Sequence, residues 1–299
     1  MHLVRILTGI LVLAATWFPR AGAQSSHNGG DTLQVADVRV ESSERGLRLD
    51  YGLNLGGYLA NGATANYYNG SGAYSGIGNQ GTLAQILSSS NTHSYNRIRQ
   101  DIGYDFSLHG LPMNMRYSPA MMLGLYASLQ INPRVALVAE SNFTRLRAED
   151  QFTIELERFS SIEGDNIERY LISGTEERID IRLGIQYTFI RVDSYVHPFM
   201  EFGFTATDTK AKNNTARIAG HTYSLHFPGT SQYFPERDFG LGMGAHGSVG
   251  LSMDVSEEFK FSFGYSIIYN QINLGNNQDF GFQHSIFIRL SLSQLFQSG

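Results

Sequence analysis

In the stretch Glu177-Arg178-Ile179-Asp180-Ile181-Arg182-Leu183-Gly184-Ile185-Gln186-Tyr187-Thr188-Phe189-Ile190, the odd positions from Ile179 to Phe189 are all apolar. The even positions between them, Asp180, Arg182, Gly184, Gln186 and Thr188, are polar or glycine. A period of two puts each set on its own face of an extended strand, and no helical period fits. One face suits hydrocarbon and the other suits a polar interior, the pattern of a strand in a membrane-spanning barrel.

The same alternation recurs on both sides of this stretch, giving eight expected strands at about 47–60, 115–131, 135–157, 177–190, 195–210, 239–255, 259–274 and 281–296. In the first, Leu49, Tyr51, Leu53, Leu55 and Leu59 oppose Arg48, Asp50, Asn54 and Tyr58. In the fifth, Met200, Phe202, Phe204 and Ala206 oppose Glu201, Gly203, Thr205 and Thr207. In the sixth, Gly240, Gly242, Gly244 and Gly250 share the inward face with His246, Ser248 and Ser252. The third is longer than a membrane requires, so its distal half is expected to project beyond the bilayer. Connections alternate long and short, with Asn132-Pro133-Arg134, Arg191 to Ser194 and Ser256-Glu257-Glu258 as the short ones. Short periplasmic turns and long extracellular loops place both ends of the barrel in the periplasm.

Composition agrees. Charged residues make up 16% of the chain, below the roughly 25% of soluble domains, while aromatics reach 12% and cysteine is absent. The start, Met1 to Ala23, has a basic residue at Arg5, an apolar run from Ile6 to Phe18 and the small-residue site Ala21-Gly22-Ala23. It reads as a signal peptide cleaved before Gln24, too short in its apolar run to span a bilayer. Its loss removes Arg5 and Arg20 but no acid, taking the net charge from −5 to −7 and speaking against a nucleic-acid partner. Residues 24–46 are then a periplasmic segment, and 47–296 an all-β, eight-stranded antiparallel transmembrane β-barrel with a long loop at 61–114.

The inward positions carry Arg48, Asp50, Glu140, Asp180, Arg182, Glu201, Lys260 and Arg289, four bases and four acids. Eight strands enclose an interior that side chains can fill, so these charges are expected to pair across a narrow lumen that conducts little.

Three stretches carry a family resemblance: Leu53-Asn54-Leu55-Gly56-Gly57-Tyr58, Met115-Arg116-Tyr117-Ser118-Pro119-Ala120, and His284 to Phe296. Over about 47–296 the chain resembles small bacterial outer-membrane β-barrels of the OmpX, OmpA and opacity-protein kind, including the PorT-like group. The resemblance implies residence in outer-membrane lipid and a C-terminal assembly signal, here Leu290, Leu292 and Phe296, read by the barrel-insertion machinery. In those families the aromatic usually ends the chain, whereas Gln297-Ser298-Gly299 follow Phe296 here.

No constellation points firmly to chemistry. Gly242 to Gly247 and Gly76 to Gly81 both match G-x-G-x-x-G, but neither follows a buried strand and opens a helix, as dinucleotide binding requires. His284, Ser285, Asp208, Asp279 and His226 fall near the outer rim, yet His284 and Ser285 are adjacent on a strand and point to opposite faces. The histidines lack metal-ligand spacing, and His246 reads as a lumen residue. No catalytic residue, metal or cofactor is therefore assigned. The loop 61–114 is rich in Gly, Asn, Ser and Tyr. It fits a docking surface for an extracellular or envelope protein, or simply a solvated loop folded over the barrel mouth, with Thr82 to Ser88 as a short helix. The leading expectation is a structural, adhesion or docking role. A small porin or passive transporter, and an enzyme acting on lipid A or peptides, are the alternatives.

Overall fold

A computed structural model describes residues 47–72, 82–158, 166–189, 195–225, 239–256, 258–274 and 277–296. The expected signal peptide, the segment 24–46, the Gly76 to Gly81 motif and His226 lie outside them. In chain order the strands are β1 (Leu47–Leu59), β2 (Phe106–Gly110), β3 (Ala120–Asn132), β4 (Val135–Leu156), β5 (Ile167–Thr188), β6 (Val196–Ile218), β7 (His221–Ser224), β8 (Phe239–Asp254), β9 (Phe259–Leu274) and β10 (Asn277–Phe296). Each of the eight long strands pairs antiparallel with the next around a ring, and β1 closes it on β10 from Leu47↔Phe296 to Leu59↔His284. Closure leaves the wall without a free edge.

The face assignment follows the sequence. Met121 (84% exposed), Leu123 and Leu125 stand outside on β3 while Tyr126 and Ser128 are buried. On β6, Phe202 and Phe204 are exposed and Glu201 and Thr205 buried. A continuous outer band of Leu, Ile, Phe and Met around a polar interior is stable only against hydrocarbon, so the ring is a membrane-spanning barrel of the outer-membrane type. At one end the connections are short. In the β3–β4 turn Asn132 Oδ1 accepts from the backbone N–H groups of Arg134 (2.9 Å) and Val135 (2.8 Å). At that end Ser256 Oγ also accepts from Phe259 N at 3.1 Å.

At the other end the strands run past the apolar band, and their chemistry inverts. Along β4, Phe143 is the last large apolar residue facing out. Beyond it Arg145, Arg147, Glu149 and Gln151 are exposed, and Leu146, Ala148, Phe152, Ile154 and Leu156 are buried. On β6 a bulge at Lys212 shifts the inward set by one residue: Thr209 and Ala211 face in before it, Asn214, Ala216 and Ile218 after it. This inversion explains why β5 starts ten residues before the expected 177 and β6 continues past the expected 210. A search for apolar-out, polar-in alternation stops where water replaces lipid outside, although the strands continue. The short strands β2 and β7 extend this projecting sheet by pairing with β4 and β6. Met115 to Pro119, expected in the second strand, precede β3, with only Tyr117 bridging Ala148.

The described parts of the loop, 61–72 and 82–114, are folded and hold a 3₁₀ turn (Ala63–Tyr68), α1 (Leu83–Ile86) and α2 (Thr92–Ile102) before β2. A capping box between Thr82 and Gln85 starts α1 within the expected helix. The sequence reading missed α2, which Asn91 caps at its start and Gly103 ends in the left-handed conformation at φ 83°. Ala65, Tyr67, Tyr68, Leu83, Ile86, Leu87, Ile98 and Phe106 from this segment pack on Phe152, Ile154, Ile172, Ala216, Ile218 and Leu274 of the projecting strands, forming one apolar core. These described parts form a plug over the barrel mouth.

Candidate functional site

Inward parity on β4, β5, β6 and β10 sends Glu140, Arg182, Glu201 and Arg289 into one cross-section of the lumen, all nearly fully buried. Arg289 Nη2 pairs with the Glu140 carboxylate and lies 3.1 Å from Glu201 Oε2. Arg182 Nη1 is 3.5 Å from Glu140 Oε2, which also accepts from Asn142 Nδ2 at 3.0 Å. His246 Nε2 approaches Glu201 Oε1 at 3.2 Å. The layer holds two carboxylates and two guanidiniums, so it needs no outside counter-ion, the condition under which buried charge is tolerated. The Arg289 guanidinium also lies over the rings of Tyr126 (4.3 Å) and Phe287 (4.4 Å). Gly264 leaves room for the Phe287 ring, and Gly250 for Phe199; a Cβ at either would come within 2.6 Å of ring carbon. Polar and aromatic side chains together fill the bore.

Toward the short-turn end, Arg48 Nε and Lys260 Nζ meet Asp50 at 3.3 and 3.0 Å, and Arg48 Nη2 donates to Ser293 Oγ at 2.7 Å. Arg48, Asp50 and Lys260 line a cavity of about 250 Å³ with Gln186, Ser262 and Ser291. Of the eight charges expected inside, seven thus fall into two groups. Asp180 instead accepts from Thr207 Oγ1 at 2.6 Å, and Thr207 in turn accepts from Asn270 Nδ2 at 2.6 Å.

A third group, missed in the sequence, ties plug to wall. Arg178 donates through Nε to Glu176 (2.5 Å), through Nη1 to Gln283 (3.3 Å) and through Nη2 to Thr64 of the plug (3.1 Å). Glu176 also accepts from Tyr117 (2.5 Å) and Tyr68 (3.3 Å). Burial first, and then the Glu176 carboxylate, push both phenols well above their usual range, so each stays protonated and donating. The signal was present: residues 176 and 178 continue the inward parity of 180 and 182. Gly174 on β5 lies against the Tyr68 ring, where a Cβ would overlap its carbons. Gly174→Val is therefore expected to expel Tyr68 and cost about 1–3 kcal/mol of overpacking. Limited proteolysis should show faster cleavage of the loop 61–117 with the barrel still folded; unchanged cleavage would mean that this contact does not hold the plug.

The rim candidates for hydrolysis do not converge. His284 faces outward and its Nδ1 lies 2.7 Å from Tyr265 OH, while Ser285 is buried in the lumen and Asp279 is exposed. Asp208 sits on the outer face of β6. The Gly242 to Gly247 motif lies within β8, paired with β6 throughout and with β9 from Gly244 on, with no helix start for a pyrophosphate. Among the described residues no three His, Asp or Glu side chains converge as metal ligands.

A closed antiparallel ring, an exposed apolar band and a filled, charge-paired bore define an outer-membrane β-barrel protein. No family model matches the chain, and no curated protein matches it. Among solved structures it is similar to Neisserial surface protein A, at 10% identity over 82% of this chain and 96% of that one, with a TM-score of 0.37. It is also similar to the attachment invasion locus protein Ail of Yersinia pestis, at 10% identity over 82% and 99%, with a TM-score of 0.33. For the outer membrane protein OprG of Pseudomonas aeruginosa the values are 9%, 83%, 94% and 0.32. The pairing ring and the apolar band define the class without these likenesses.

Proposed function

We propose that this protein acts through its outer face, as a closed barrel that holds a folded platform above the membrane for adhesion to or docking of an extracellular or envelope protein. The observation that carries this reading is the Glu140–Arg289–Glu201 layer, which joins β4, β10 and β6 across the bore beneath an apolar plug. A solute crossing the barrel would have to displace both. The projecting sheet and α2 form a preorganised surface, which lowers the ordering cost of binding a partner. In this reading residues 1–23 are the export signal and 24–46 a periplasmic segment. Leu290, Leu292 and Phe296 are the strand features that insertion machinery engages, and the eight inward charges stiffen the bore. Purified protein in a planar bilayer is expected to pass no steady current; stable ohmic steps would move the assignment to a small pore.

A further inference from the structure

The cations on the outer wall are unevenly placed. At the margin where the apolar band ends, Arg145 pairs across strands with Glu177, and Glu177 with Lys210, one outward-facing step beyond Phe143, Ile179 and Asp208. Arg147 and Lys212 lie beside this row. Lys212 Nζ is held by Glu177 at 2.7 Å and Arg147 by Glu149 at 2.5 Å. Arg145 and Lys210 are exposed and have no carboxylate within ion-pair distance among the described residues. On the outward faces of β8, β9, β10, β1 and β3 no Lys or Arg appears among the described residues. The outer faces of β9 and β10 carry rings instead, with Tyr269 against Phe280 and Phe282 and Tyr265 stacked on His284. One side of the collar is aromatic and the other cationic.

We propose that the β4–β6 side binds the phosphate of a phosphorylated lipid of the outer leaflet, with Arg145 and Lys210 as its two principal contacts. The position argues for a lipid. Both cations stand where the acyl region gives way to headgroups, and a phosphate tethered to chains lying on Phe143, Ile179 and Phe204 is delivered to that height. Arg supplies a planar pair of donors and Lys a point charge, a combination suited to phosphate oxygens. Because Lys212 neutralises Glu177, the carboxylate between the two cations does not cancel them.

The full protein in phosphatidylcholine vesicles, probed with spin-labelled phosphatidic acid against spin-labelled phosphatidylcholine, tests this. Arg145→Gln with Lys210→Gln is expected to reduce the preference for phosphatidic acid by roughly tenfold. The charge-keeping swap Arg145→Lys with Lys210→Arg should retain most of it, as should Arg169→Gln with Arg217→Gln farther out on β5 and β6. Equal preference in wild type and the first variant overturns the proposal. So does an equal loss in the Arg169/Arg217 pair, which would reveal only general surface charge. If dissolved inorganic phosphate abolishes the preference as well as salt of equal ionic strength does, screening explains it and the site survives. If phosphate does so far more strongly than salt, the site takes free anion and the lipid assignment falls.

Discussion

Glu140→Gln is expected to lower the unfolding free energy by about 3–5 kcal/mol, the usual result of removing one member of a buried ionic group. Among the described residues, Glu140 is the only acid that contacts both Arg182 and Arg289. Its loss takes from Arg182 the carboxylate it pairs with and leaves Arg289 with Glu201, which already faces His246. Glutamine keeps the shape and the acceptor for Asn142, so the loss is chiefly one of charge. Urea unfolding of the refolded protein in lipid vesicles measures it, and a change under about 1 kcal/mol, the scale of an exposed pair, would show the layer to be solvated. The double variant Glu140→Gln with Arg182→Gln should recover part of the loss, because the remaining Arg289 and Glu201 again balance.

Leu183→Arg should cost about 2–4 kcal/mol, the price of an arginine near the bilayer midplane. Leu183 is 48% exposed on the outer face of β5, between Ala139 of β4 and Phe204 of β6. Its neighbour Gly184 gives the contrast. A Cβ there would come within 2.6 Å of the Phe202 carbonyl oxygen, so Gly184→Arg fails by crowding. The two defects separate by thickness: a thinner bilayer should relieve Leu183→Arg, by letting the guanidinium reach headgroups, and leave Gly184→Arg unchanged. If both variants respond alike, the face assignment of β5 is wrong.

The membrane half of the molecule was legible because lipid and a narrow bore impose opposite demands on alternate residues. Ile179 to Phe189 could hardly be read otherwise, and the parity that exposed Leu183 also placed Arg182 beside Glu140. Above the band β4 and β5 keep the same parity with its chemistry exchanged, and β6 shifts it at the Lys212 bulge. Phe152, Ile154 and Ile172 therefore read as breaks in the pattern when they are the core under the plug. Tyr95, Ile98 and Ile102 hold the helical spacing of α2, but three apolar residues in a polar stretch give a weak signal, and the cap at Asn91 and the stop at Gly103 were the better clues. The latch at Arg178 was hidden for another reason. Its partners Thr64, Tyr68, Tyr117 and Gln283 come from remote parts of the sequence, and only the folded loop brings them together.

The seam between β1 and β10 has a kinetic consequence. It joins Leu47 to Phe296, so the hydrogen bonds that seal the cylinder are among the most distant contacts in the sequence. Long-range pairing is slow. Until it forms, both terminal strands offer unpaired backbone to any neighbouring chain. The hazard of this architecture therefore falls in the interval before it zips shut, when a lone copy most needs an escort to the bilayer.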